Sequence, residues 1–211
     1  MDIMKTLQIY EKYMVPVNLQ KHMLKVAALA KIITDSWLDK NLDKNSIVDA
    51  CIFHDIAKPM TFDLKKQVQF GMSQEDIKKL KNLQERLKNN YGDNEHQATV
   101  KICEEIGLSK NAIRFVNNLE WSYIPKLIKE NEIESFIPIY CDMRISPKGI
   151  LSLKERLIEL KKRTSKKDYE ENLENGIKLE NILKENTSID PNSITNSQID
   201  SLLDTLVNKE I

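Results

Sequence analysis

CIFHDIAKP, residues 51–59, ends an apolar run on an adjacent histidine and aspartate and then reaches a proline. Ile47, Cys51 and His54 recur at the spacing of one helical face, so a helix is expected from about Ser46 to Ala57, stopped near Pro59, with His54 and Asp55 in its last turn. A carboxylate at the end of a buried helix is costly without a cation, a hydrogen-bond network or water. Either Asp55 caps a neighbouring helix while His54 packs in the core, or the pair belongs to a site.

Working outward, the composition favours helices on both sides of this stretch. Among 211 residues there are only five glycines and six prolines, with 41% hydrophobic and 30% charged side chains. That balance suits a globular all-α chain. Its 32 basic and 32 acidic residues cancel, so no global field favours DNA, RNA or a membrane surface as partner. Cys51, Cys103 and Cys141 share no CxxC spacing and sit in apolar runs, which reads as buried thiols in a reducing compartment. The start MDIMKTLQIYEKYMVP lacks a signal-peptide core, no run nears the length of a membrane span, and the expected location is the cytoplasm.

Upstream, a helix is expected over about residues 2–13, ended before Val15-Pro16. A second covers about residues 18–38, where Leu19, His22, Val26, Leu29 and Ile33 share a face. Downstream, TFDLKKQVQFG (61–71) alternates weakly and reads as a small hairpin or ordered loop. Ser73 with Asp76 reads as a cap for a helix to about Asn89, with Ile77, Leu80, Leu83 and Leu87 as its apolar positions. Asn94 with Gln97 caps another, which places His96 in a first turn and Gly107 at the end. Helices follow at about 110–119 and 125–131, and in SFIPIYCDMRIS Pro138 is expected in a first turn, with Asp142 closing an apolar stretch. Three more are expected at about 150–163, 166–185 and 197–208. Trp37 and Trp121 are expected in the core or at its rim. The composition shifts near residue 150, which divides the chain into a domain of 1–150 and a C-terminal helical extension of 151–211.

His22, His54, Asp55 and Asp142, drawn from three helices, form a mixed nitrogen and oxygen set suited to a divalent metal of intermediate hardness. These residues resemble the HD-domain superfamily of metal-dependent phosphohydrolases, whose pattern is a histidine, an adjacent His-Asp pair and a distant aspartate. VPVNLQKHMLKVAALA resembles its first-ligand helix, ACIFHDIAK its signature, EHQATVKICEEIGLS the following helix and YCDMRIS the last-ligand segment. The likeness spans roughly residues 15–163.

The resemblance implies an all-α HD bundle holding a divalent ion (Mn, Fe, Mg, Co, Ni or Zn) on His22, His54, Asp55 and Asp142. It implies hydrolysis of a phosphoester of a nucleotide or another small phosphorylated metabolite by metal-activated water. Asp55 would orient that water or take its proton. Lys58 follows the His-Asp-x-x-Lys form, would act in catalysis and would meet a substrate phosphate, whereas some nucleotidase branches carry Glu there. His96 stands where many members have a His-Glu pair; at a helix N-terminus its neutral form would donate to phosphate or join a second metal. Arg144 would reach phosphate through its planar fork. Residues 115–123 contain no histidine, which argues for one metal over two, and Glu120 there reads as a surface glutamate. The basic run KKRTSKK (161–167) reads as a solvated helix end and turn. The rival readings are a non-catalytic HD-type metal- or nucleotide-binding regulatory module and a plain helical interaction protein. A second copy of the chain is a further candidate partner.

Overall fold

A computed structural model describes residues 3–69, 72–163 and 169–211. Its centre is α2 (Val17–Asp35), in which Met23, Val26, Ala27, Ala28, Leu29, Ala30 and Ile33 are all fully buried. The alanines let neighbouring backbones come close, and α2 packs against α3 (Lys44–Phe53) and α9 (Ile133–Arg144). Around them lie α1 (Thr6–Lys12), α4 (Leu64–Gln69), α5 (Gln74–Tyr91), α6 (Glu95–Glu105), α7 (Lys110–Asn117) and α8 (Ile124–Glu130). A short hairpin, β1 (Ile145–Ser146) with β2 (Gly149–Ile150), leads into α10 (Leu153–Arg163), α11 (Tyr169–Asn186), α12 (Asn196–Asp200) and α13 (Leu203–Val207). The fold is all-α, and no helix among the described residues is long and apolar enough to cross a membrane.

The caps read from sequence are in place. The side chains of Ser73 and Asn94 accept from the backbone N–H of Asp76 and Gln97, and Gly107, at φ 84°, follows the end of α6. Leu80, Leu83 and Leu87 are buried, as are the three cysteine thiols and Trp37, while Trp121 is half-buried.

Four expectations need correction. The 61–71 segment, as far as it is described, is the helix α4 and not a hairpin, because the Asp63 carboxylate accepts from the backbone N–H of Lys65 (2.9 Å) and Lys66 (3.4 Å) and nucleates a turn. Pro138 lies in the interior of α9, not its first turn; Ser135 to Cys141 are all buried, and this packing sustains a residue that costs a helix interior roughly 3 kcal/mol. The last expected helix is two, α12 and α13, separated at Ser201 and Leu202. The helix carrying His54 ends at Phe53, with His54 as its C-cap. Beyond it the N–H groups of Ile56, Lys58 and Met60 bond three residues back, a tighter winding that continues into a 3₁₀ turn at Lys58–Thr61. Most of the basic run 161–167 lies outside the described residues.

The C-terminal elements return to the same core: Leu179, Leu183, Ile194, Ile199 and Leu206 belong to one buried cluster with α2 and α3. The chain ends meet, with Thr6 N–H donating to Lys209 C=O (2.9 Å) and Ile211 N–H to Met4 C=O (3.0 Å). Lys209 pairs with Asp49 of α3 (2.6 Å), and α12 and α13 pack on α2.

Candidate metal centre

The end of α3 is fixed before its polar pair is reached. The Tyr10 hydroxyl donates to the Ile52 carbonyl (2.7 Å), one of those a helix C-terminus leaves unpaired, and the Tyr10 ring packs edge-on against Phe53. At the opposite end the Asp43 side chain caps α3 by accepting from Ser46 N–H. His54 is thereby held at a rigid helix terminus.

The His54 ring is buried, and its Nδ1 is 2.8 Å from the Cys51 carbonyl, a contact only an N–H can make. In the neutral ring the lone pair is therefore on Nε2. Nε2 is buried and makes no hydrogen bond of acceptable geometry, although Asp142 Oδ1 of α9 lies 3.4 Å away. His22 of α2 brings its own Nε2 to 3.0 Å from the same oxygen, with the two imidazole rings 5.5 Å apart. One donor atom from each of His22, His54 and Asp142 falls within 4.8 Å of the others. Two imidazole nitrogens and a carboxylate oxygen converging on one point form a donor set that fits a divalent ion.

The field at this point calls for positive charge. Burial by itself lowers the His54 pKa, but the carboxylates of Asp55 and Asp142 outweigh it and push it up to about 9. Burial would raise Asp142, yet its bond to His22 and the neighbouring His54 ring hold it far below the usual carboxylate range. Its side chain remains 33% exposed, so the densely surrounded carboxylate still forms the floor of an open cleft.

Asp55 stands beside this cluster and is not one of its three members. Its Oδ2 is 3.9 Å from His54 Nε2, and its Oδ1 is 3.8 Å from the Lys58 ammonium. Lys58, in the first position of the 3₁₀ turn, also lies 3.4 Å from Glu95. Burial disfavours its charge, but Asp55 and Glu95 raise its pKa above the ordinary value. Thr61 donates its hydroxyl to the same Glu95 carboxylate (3.1 Å). His96 gives its Nε2–H to the Asn117 carbonyl (3.0 Å), leaving Nδ1 as the acceptor of the neutral ring. Donation from His96 to a phosphate would then require the imidazolium, a correction to the role expected of the neutral form.

These residues wall a cleft of about 470 Å³ that opens over His54, Asp55 and Asp142. Glu120 lines it too, so it is a cleft residue and not merely a surface glutamate. Glu95 had no assigned role in the sequence reading; its position beside His96 in a capped first turn was the available signal.

Arg144 does not reach this cleft. It follows Asp142 by two residues, a rotation of about 200° around the helix, and so points the opposite way. The side chain is 2% exposed, and its guanidinium donates to the Tyr140 hydroxyl and to the carbonyls of Leu151 and Pro191. The expected phosphate contact is replaced by a structural one that ties α9 to the hairpin exit and to the turn before α12.

Residues 19–120 match the family model described as HD domain. No curated protein and no solved structure matches the chain. The match includes His22, His54, Asp55, Lys58, Glu95 and His96, and it stops short of Asp142.

Proposed function

We propose, from the premise that residues 19–120 form an HD domain, that the chain is a metal-dependent phosphohydrolase acting on a nucleotide or another small phosphorylated metabolite. The observation that carries this reading is the His54 side chain: its tautomer is set by Cys51, and its buried, unbonded Nε2 faces Asp142 beside His22. A divalent ion bound there supplies acidification of a water and polarisation of a phosphoryl oxygen.

The chain's own groups would do the rest. Asp55 lies at the edge of the cluster with its carboxylate open to the cleft, in position to orient a water and accept its proton. Lys58, held between Asp55 and Glu95, brings one fixed positive charge to the phosphoryl oxygens. Glu95 positions Lys58 and touches nothing that reacts. The buried wall of α3 keeps the His54 ring dry and fixed in orientation.

The test is metal analysis of the purified chain, followed by phosphate release from nucleotides and generic phosphate esters with Mn²⁺, Co²⁺, Ni²⁺ or Mg²⁺. Stoichiometric metal and turnover are expected, and Asp55→Ala is expected to abolish turnover. Metal without turnover across the panel would favour the regulatory binding module. Failure to bind any divalent ion would sink both, and unchanged activity in Asp55→Ala would refute its assignment.

A further inference from the structure

A second cleft, of about 430 Å³, adjoins the candidate centre, and His22 forms part of its wall. The two clefts carry opposite charge. The first is lined by the carboxylates of Asp55, Glu95, Glu120 and Asp142 against the single ammonium of Lys58. The second is lined by Lys21, Lys25 and Arg156 with no carboxylate among its described lining residues, Asp200 and Glu159 pairing with Lys25 and Arg156 from outside that lining. A polyanion approaching His22 is repelled by the first wall and attracted by the second.

We propose that Lys21, Lys25 and Arg156 form an anion subsite for a second phosphate group of the substrate, so that the preferred substrates are those carrying a phosphate chain. This rests on the phosphohydrolase reading for the word substrate, but the binding of the anion itself does not.

Arg156 carries the proposal furthest. Its side chain is only 14% exposed, one arm of its fork is held by Glu159 at 2.6 Å, and its Nε is buried without a hydrogen-bond partner. A buried donor left unpaired is unfavourable, so the guanidinium gains by turning toward an anion in the cleft that its side chain lines. Lys25 is 3.1 Å from Asp200, whose side chain is 52% exposed, so that pair is screened by water and open to competition. Lys21 is exposed and makes no ion pair among the described residues, which leaves its charge for a ligand. Phe62 and Pro147 add apolar wall beside these cations, a surface on which a ring attached to the phosphates can rest. Arg156 belongs to α10, so the subsite joins the C-terminal elements to the region of the HD match.

The experiment is calorimetric titration of inorganic tripolyphosphate, with orthophosphate as comparison, into the full chain treated with a chelator. Tripolyphosphate is expected to bind more tightly than orthophosphate. Lys21→Gln, at an exposed position that leaves folding undisturbed, is expected to weaken it at least threefold, and Lys21→Gln with Arg156→Gln at least tenfold. Lys126→Gln, at an exposed position of α8 outside both clefts, is expected to leave it within twofold. Equal binding in wild type and Lys21→Gln, or an equal loss in Lys126→Gln, would overturn the subsite. Because no metal is present, this result is separate from turnover: binding that depends on Lys21, in a chain that hydrolyses nothing, would keep the subsite and sink the hydrolase.

Discussion

The segment 19–120 contributes both histidines of the cluster together with Asp55, Lys58, Glu95, His96 and, at its very end, Glu120, whereas the residues beyond it contribute Asp142 and Arg156. Apart from His22, in the second turn of α2, the first group sits at helix ends and in first turns, where short-range capping decides position. The second depends on how α9 packs against α2 and α10 against α9. Without Asp142 the cluster keeps two imidazole nitrogens and loses its carboxylate, so the matched segment supplies the nitrogen donors and the residues beyond it supply the oxygen donor of the candidate centre. Glycine and proline follow the same division: Gly107 ends a helix as its sequence position indicates, while Pro138 is tolerated inside α9 only through tertiary packing.

Removing residues 152–211 would break the comparison most severely. It strips Leu179, Leu183, Ile194, Ile199 and Leu206 from the core. At about 1.5–3 kcal/mol for each buried side chain, the loss matches or exceeds the roughly 5–15 kcal/mol by which a typical domain is stable. The shortened chain is expected to show no cooperative thermal transition by circular dichroism, while a sharp transition would make residues 1–151 self-sufficient.

Asp142→Ala tests the division inside the site. Deleting the only carboxylate of the cluster is expected to lower Co²⁺ or Mn²⁺ affinity by about three orders of magnitude, or about 4 kcal/mol. Glu120→Gln, in the same cleft but outside the cluster, is expected to change it by less than about threefold. Equal losses in the two variants would mean that the ion is held by the cleft's general negative field and not by the three donors.

Arg144→Met separates the buried arginine from the cleft-lining one. It leaves the Tyr140 hydroxyl and the Leu151 and Pro191 carbonyls without their donor and is expected to cost about 3 kcal/mol in chemical denaturation. Tripolyphosphate binding should persist under conditions where the variant is folded. Arg156→Gln should show the reverse, weak effects on stability and a clear one on the anion.

The smallest effect concerns the cap of α3. Burial alone would raise the Asp43 pKa, but hydrogen bonds from Asn111 and Ser46 outweigh it and hold the carboxyl below its ordinary 3.8. Its folded pKa is therefore depressed, and its contribution is present above the unfolded value and lost as pH falls through the folded one. Asp43→Ala is expected to cost about 1 kcal/mol near neutrality, and the difference from wild type should shrink below about pH 4. A difference that holds constant down to pH 3 would remove the carboxylate from the account.

Much of this was legible in the chain because helix signals are local. Ser73, Asn94 and Gly107 act within a turn of where they stand, and the apolar spacing of Leu80, Leu83 and Leu87 identifies a buried face without knowing what covers it. Asp63 was missed as a cap because the weak alternation after it suggested a strand, although a carboxylate two residues before a lysine pair is itself a turn signal. Glu95 and Arg156 were missed for a different reason. A charged residue on a helix looks solvent-facing until another element is laid against it.

The sequence by itself determined that the protein is helical, that His54 and Asp55 end a buried helix, and that His22 and Asp142 are polar groups in apolar company. Periodicity and solvation cost act along one helix and need no partner. Only the tertiary structure decided that Asp142 Oδ1 meets both imidazoles while Asp55 stands aside with Lys58. It also decided that Arg144, two residues from Asp142, turns away, and that Arg156, fourteen residues from it, faces the neighbouring cleft. Contacts between helices depend on the angle and depth at which they pack, and these arise from the whole core at once.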